Sequence, residues 1–272
     1  MAAQTAPPKP LAIVDAAVES SEDAPSVAAS YEFMPGDFLY FQFEIAGFKI
    51  LGKDDNSGRH ISLAYTVEAL DDKGVLLAPA AKDEIAQEIT PQDKDWAPKR
   101  RASFLLPSYV AHGTYHVRLS VRDLLGKTEV ERDFPFLIGG RKIEPSPTLG
   151  LQNLRFLRTE QDGPGLEVAA YRPGDTIWAR FDMTGFAVGP ANKVDLEYDV
   201  SVLRPDGKTV FDQKNAATNE LNGLFYPPQF VPGELSVTTT SDLLHGEYTL
   251  VIRLHDLIGK KSAEVRQQFE IE

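Results

Sequence analysis

Tyr31-Glu32-Phe33-Met34-Pro35-Gly36-Asp37 returns, loosely, as Tyr171-Arg172-Pro173-Gly174-Asp175, and the correspondence then continues to the last residue. Pro35, Gly36, Asp37, Phe43, Gly47 and Phe48 recur as Pro173, Gly174, Asp175, Phe181, Gly185 and Phe186, at a spacing of 138 (173 − 35). From Tyr65 the spacing becomes 133 (198 − 65) and carries Tyr65, Val67, Leu70 and Gly74 onto Tyr198, Val200, Leu203 and Gly207. It also carries His112-Gly113, Tyr115, Asp123-Leu124, Gly126-Lys127, Phe136 and Ile138 onto His245-Gly246, Tyr248, Asp256-Leu257, Gly259-Lys260, Phe269 and Ile271. The chain is one domain built twice, with extra residues in the first copy between Phe48 and Tyr65.

The 272 residues suit two domains, each long enough to bury a core without metal or disulfide. The reading is a tail at 1–10, a first domain over 11–140, a linker at 141–148 with Pro145 and Pro147, and a second domain over 149–272. A net charge of −12 argues against sequence-independent binding to nucleic acid or to anionic lipid. With no cysteine there are no disulfides, thiolate zinc sites or cysteine nucleophiles. No segment approaches the ~20 apolar residues needed to span a membrane. Met1 to Pro10, rich in Ala, Pro and Gln, reads like the start of a mature exported chain whose signal peptide has been removed.

Within each copy the periodicity is that of strands. Phe38–Ile45 and Thr176–Met183 are rich in aromatic and branched residues, and Tyr115, Val117, Leu119 and Val121 alternate with polar neighbours. Tyr248, Leu250, Ile252 and Leu254 repeat that face. Pro35-Gly36 and Pro173-Gly174 suit type II turns. Asp71–Gly74 and Arg204–Gly207 read as hairpin turns. Asp123–Lys127 and Asp256–Lys260 read as hairpins with glycine in the left-handed position of a bulge. Lys82–Ile89 has the composition for one or two helical turns. The fold expected is all-β: two tandem immunoglobulin-like antiparallel β-sandwiches from an internal duplication.

The order Tyr-x-Pro-Gly-Asp, alternating strand, Pro-Asp-Gly-Lys hairpin and Gly-x-Tyr resembles bacterial immunoglobulin-like sandwiches, especially the macroglobulin-type domains of the α2-macroglobulin family. The carriers in the second copy are Tyr171, Pro173, Gly174, Asp175, Pro205, Asp206, Gly207, Lys208, Gly246 and Tyr248. The resemblance implies a fold rather than a function. A full macroglobulin has a thioester built on cysteine and glutamine, a bait region and further domains. This chain has two modules and no cysteine, so protease trapping is not implied.

His112 and His245 are repeat-equivalent and read as polar residues at a turn before glycine. His112 and His116 lie roughly 13 Å apart along a strand, too far for one small ion. His255 beside Asp256 is not a dyad by adjacency alone. Acidic runs such as Asp54-Asp55-Asn56, Asp71-Asp72 and Asp93/Asp95 read as solvated turns, with weak calcium binding at Asp54–Asn56 as the residual possibility. No nucleophile elbow, phosphate loop or zinc-helix motif occurs, so no catalytic residue, metal or cofactor is expected. Lys99-Arg100-Arg101 reads as a basic loop, protease-sensitive or able to meet an acidic partner.

The most suggestive stretch is Leu224-Phe225-Tyr226-Pro227-Pro228-Gln229-Phe230, with Trp96 and Tyr109 in the corresponding segment of the first copy. Such rings either stack on sugars or anchor a protein contact, or they cap the core. The leading expectation is a non-catalytic binding or scaffold protein of a bacterium, periplasmic or extracellular, meeting a protein or the cell envelope. The alternative is a carbohydrate-binding accessory module that uses Trp96, Tyr109, Phe225, Tyr226 and Phe230 as a platform. A third is a protease inhibitor presenting the basic cluster on a rigid loop.

Overall fold

A computed structural model of the chain describes residues 10–52, 58–90, 93, 96–161 and 163–272. The expected tail, apart from Pro10, and the Asp54–Asn56 run therefore lie outside the described residues. The chain divides between Lys142 and Ile143 into two compact units, here modules 1 and 2.

Module 1 runs β1 (Ala12–Glu19), β2 (Glu32–Phe33), β3 (Phe38–Ala46), β4 (His60–Leu70), β5 (Ala81–Glu88), β6 (Lys99–Leu105), β7 (Gly113–Asp123) and β8 (Thr128–Ile138). Module 2 repeats the series as β9 (Gly150–Leu157), β10 (Ala170–Tyr171), β11 (Thr176–Thr184), β12 (Val194–Leu203), β13 (Thr209–Leu221), β14 (Val231–Thr238), β15 (Gly246–Asp256) and β16 (Lys261–Ile271). One sheet of module 1 has the order β1-β3-β6 and the other β2-β8-β7-β4-β5. Module 2 has β9-β11-β14 and β10-β16-β15-β12-β13, the same topology strand for strand. Pairing is antiparallel except where the two-residue strands β2 and β10 run parallel to β8 and β16. Each module is an immunoglobulin-like sandwich.

Alternation builds the cores. Leu39, Phe41, Phe43 and Ile45 are fully buried on one sheet of module 1, as are Leu63, Val67, Val117, Leu119 and Val121 on the other. In module 2, Ile177, Ala179, Phe181 and Met183 are buried with Leu196, Tyr198, Val200, Leu250, Ile252 and Leu254 in one cluster. Each such large side chain contributes roughly 1.5–3 kcal/mol of burial. The edge-to-face pair Phe43–Tyr65 (5.1 Å) is repeated by Phe181–Tyr198 (5.3 Å).

The repeated motifs are structural. Tyr115 donates from its hydroxyl to the Ala111 carbonyl at 2.8 Å, and Tyr248 to that of Leu244 at 2.8 Å. Both are tyrosine corners at the start of the strand that follows the sheet crossing. His112 and His245 precede these corners and are exposed. Gly36 and Gly174 take φ of 90° and 93°, and the Asp37 and Asp175 amides donate back to Met34 and Arg172, closing the expected type II turns.

Three expectations need correction. Lys82–Ile89 is not helical: Ala81–Glu88 is strand β5, pairing with β4 from His60↔Glu88 to Val67↔Ala81. Its helix-favouring side chains face solvent, only Ile85 is buried, and ladder pairing overrides local propensity. In the Asp-Leu-x-Gly-Lys turns the left-handed residue is not the glycine but the lysine, with φ of 55° at Lys127 and 52° at Lys260. Gly126 and Gly259 are needed for space, since a Cβ there would lie 2.3 Å from Asp123 Oδ2 or Asp256 Oδ2. Third, Lys99-Arg100-Arg101 is no loop: it opens strand β6 and pairs in turn with Glu44, Phe43 and Gln42 of β3. Arg101 there forms ion pairs with Glu22 and Asp23, which removes the rigid loop that an inhibitor needs.

Burial pushes the Tyr171 and Tyr198 phenols, both in module 2, from 10.0 up to about 12. Below pH 10 both phenols are neutral folded and unfolded, so their contribution to stability is complete. As pH climbs through 10 to 12 the unfolded phenols ionise first, and the folded state loses roughly 2–3 kcal/mol per ring. Phenolate absorbance should show two rings titrating near pH 12, with module 2 losing stability over that interval; titration of both rings near 10 would refute this.

Candidate binding surface

Register places three loops of module 2 at one end. β11 ends at Thr184 opposite Gly150, β12 begins at Val194 opposite Leu221, β14 begins at Val231 opposite Met183, and β15 ends at Asp256 opposite Lys261. The loops over 185–193, 222–230 and 257–260 therefore adjoin.

They are tied together by specific bonds. The buried Asp256 carboxylate accepts from the amides of Ile258 (3.1 Å) and Gly259 (2.8 Å) through Oδ1, and of Ala187 (2.8 Å) through Oδ2. The Asn192 side-chain amide donates to the carbonyls of Leu224 (3.0 Å) and Phe225 (2.8 Å). The Leu257 amide donates to the Asp195 carbonyl at 3.0 Å. Lys193 donates to Glu220 at 2.9 Å, a hydrogen bond that holds the Glu220 carboxyl below its usual range. Module 1 repeats the clamp: Asp123 accepts from Leu125 (3.0 Å), Gly126 (2.8 Å) and Lys49 (2.7 Å), and Leu124 N–H donates to Ser62 O.

On this fixed base sit exposed apolar side chains. Leu124 at the turn of module 1 is 45% exposed and its repeat equivalent Leu257 is 44% exposed. Val188 and Phe225 are exposed at the same end of module 2, and Leu51 at that end of module 1. Apolar side chains on clamped turns lose little entropy when they meet a partner.

The five predicted rings do not form one platform. Phe225 is 51% exposed, whereas Tyr226 and Phe230 are each 4% exposed and belong to the core side of their loop. The Tyr226 hydroxyl accepts from Gln229 Nε2 at 2.8 Å. Trp96, half-buried, lies in the β5–β6 loop of module 1, the equivalent of the loop that carries Phe225. Tyr109, also half-buried, lies in the β6–β7 connection beside the tyrosine corner. The seven residues of β6, about 20 Å of strand, separate it from Trp96. The sequence alone could not say which ring of Phe-Tyr-Pro-Pro-Gln-Phe turns outward; in the fold it is Phe225. The leucines went unremarked as candidates, although their exact repetition beside Gly-Lys was the available signal.

His255 faces outward on module 2, with Nε2 3.3 Å from Asp199 Oδ2 and Nδ1 3.0 Å from Ser262 Oγ. Burial pushes Asp199 up, but the Asn215 amide, His255 and Lys214 outweigh it and hold the carboxyl below its ordinary value. Asp199 thereby fixes a bulge in β13, where Asn215 adopts φ 47°. The β15–β16 ladder runs through His255↔Ser262, so its amides are committed to pairing rather than to stabilising an oxyanion. Among the described residues no helix is long and apolar enough to cross a membrane, and no group of three or more acidic or histidine side chains could hold a metal ion.

No known family profile and no curated protein matches the chain. Among solved structures it is similar to the C-terminal domain of the Streptococcus pyogenes antigen I/II-family protein AspA, at 9% identity over 94% of this chain and 98% of that one, TM-score 0.33. It is also similar to the C-terminal domain of the Streptococcus agalactiae AgI/II polypeptide BspA, at 8% identity over 94% of this chain and 99% of that one, TM-score 0.29. Neither likeness carries a functional assignment to this chain.

Proposed function

We propose that the chain is a non-catalytic binding or scaffold protein, acting outside the cytoplasm, whose sandwiches engage a protein partner of the cell envelope through their clamped loop ends. One observation carries the reading: both modules present an exposed leucine at the same turn, each held by a buried aspartate that accepts three backbone amides. The repeated Pro-Gly-Asp, Gly-x-Tyr and Asp-x-x-Gly residues serve the fold, whereas Leu124 and Leu257 project into solvent. Tandem copies of such a contact gain avidity if the partner offers two sites. The net charge of −12 fits a partner other than nucleic acid.

The test is a native pull-down on the immobilised chain beside a Leu124→Asp/Leu257→Asp variant and a Phe225→Ser variant. A central apolar anchor is worth about 1–2 kcal/mol, so each charged substitution should weaken retention of the specific partner roughly tenfold. Because the three side chains are exposed, stability should change by less than about 0.5 kcal/mol. A partner retained equally by all three forms removes the loop ends from the reading.

A further inference from the structure

Module 2 contains a cleft that module 1 does not share in composition. It lies at the open side of the sandwich, between β13 and β14, and has a volume of about 250 Å³. Half-buried Trp178 and Phe211 line it with Tyr198, Gln213, Ala216 and Ser236. Glu234 stands at its rim, its carboxylate 3.2 Å from Arg180 Nη2 and its carbonyl accepting from the Tyr198 hydroxyl.

The two copies differ where the cleft opens. In module 1, β5 pairs regularly with β4 and sets Asp83 opposite Tyr65, within hydrogen-bonding reach of its hydroxyl. Arg100, opposite Phe43, is close enough for its charge to act on the same hydroxyl. A carboxylate and a guanidinium thus crowd the ring edge. In module 2 the residue opposite Tyr198 is Ala217, with Ala216 beside it, and the residue opposite Phe181 is Gly233. The β13 bulge between Tyr198 and Val200, held by Asp199, re-aims that edge strand. Two bulky ionic side chains have been replaced by small ones, and Gln213 and Ser236 are left exposed at the rim.

We infer that this cleft is a saccharide-binding site, taking one or two neutral sugar rings. An indole and a phenyl ring offer apolar faces to the C–H face of a pyranose, while a side-chain amide, a hydroxyl and a carboxylate offer donors and acceptors to its hydroxyls. Polar groups around a small aromatic floor suit a polyhydroxylated ring better than an extended peptide, which would need the edge carbonyl that Tyr198 already occupies. The site is distinct from the loop ends and does not depend on the function proposed for them.

The chain has two tryptophans, so Trp96→Phe leaves Trp178 as the sole indole reporter. Titrating the full-length Trp96→Phe chain with cellobiose, maltose, mannobiose and N,N′-diacetylchitobiose into the tens of millimolar should give a saturable change in Trp178 emission with at least one of them. Adding Ala216→Arg, which puts a long charged side chain into the lining of the cleft, should abolish the response. Adding Gln213→Ala, at an exposed position, should weaken it about fivefold, the worth of one hydrogen bond. Ala216→Arg is read only if it unfolds at the parent's denaturant midpoint, and Gln213→Ala decides otherwise. No saturable change with any of the four sugars overturns the assignment. So does a response that survives in Gln213→Ala and Ala216→Arg undiminished, or one given by an extended decapeptide and by no sugar.

Discussion

Replacing Asp256 with alanine should destabilise module 2 by about 3–5 kcal/mol, roughly a fifth or more of the stability of an ordinary domain. The carboxylate is 1% exposed and accepts three backbone amides, from Ile258, Gly259 and Ala187. Alanine leaves these three donors without their acceptor. The loss also releases the 185–193 loop from the 257–260 turn. Asp123→Ala should do the same to module 1, through Leu125, Gly126 and Lys49. Asparagine should recover part of the loss at either site, because Oδ1 still accepts from the turn while its NH₂ faces the third donor. Asp206→Ala is the control: that exposed turn carboxylate accepts one amide, Lys208 N, at 3.1 Å, and its loss should cost about 1 kcal/mol or less. Urea denaturation followed by fluorescence and circular dichroism measures all of these. If Asp256→Ala shifts the midpoint no more than Asp206→Ala, the clamp is not what fixes the loop end.

The same aspartates show what could be read from the sequence and what could not. Repetition of Asp-Leu-x-Gly-Lys at a fixed spacing, with alternating strands on either side, was enough to place a hairpin there in both copies. The partner of the carboxylate was not legible, because Lys49 and Ala187 lie 74 and 69 residues away and contribute only a backbone amide, which any residue carries. Nor was the role of the glycine: a short approach to Asp Oδ2 and a left-handed φ leave the same trace in a single sequence. β5 failed for a related reason. Lys-Asp-Glu-Ile-Ala-Gln-Glu is an edge strand with one buried side chain, so its pattern lacks the alternation that marks central strands. The bulges of β1 and β9 were also invisible, although Asp15 (φ 46°) and Asn153 (φ 53°) occupy equivalent positions and belong to residue types that tolerate the left-handed region. Duplication thus made the sandwich legible, because turn and core residues must recur. The cleft of module 2 was hidden, because it arises where the copies differ.

That difference gives the second large effect. Gly233→Ala should destabilise module 2 by about 3 kcal/mol, although glycine inside a strand is ordinarily weaker than alanine. A Cβ at Gly233 would lie 2.2 Å from Phe181 Cε2 and 2.7 Å from Cζ, and Phe181 is fully buried against Tyr198. The ring must leave its position, and with it goes an aromatic pair at the centre of the core. Shrinking the ring should relieve the clash: Gly233→Ala/Phe181→Leu should be more stable than the two single changes predict, with a coupling of about 1–2 kcal/mol. Module 1 supplies the contrast. Arg100 occupies the equivalent place opposite Phe43, whose ring meets Tyr65 edge to face and also stacks on Phe41 at 5.8 Å; truncating this half-buried side chain creates no clash, so Arg100→Ala should cost under about 1 kcal/mol. Denaturation midpoints of the parent and the four variants measure these effects, and additivity of the two module 2 changes would show that Phe181 does not lie over Gly233. If the coupling is found, one position separates the modules: a long cation beside the tyrosine in the first, and in the second a bare backbone over which a core ring lies, with no side chain reaching toward the cleft.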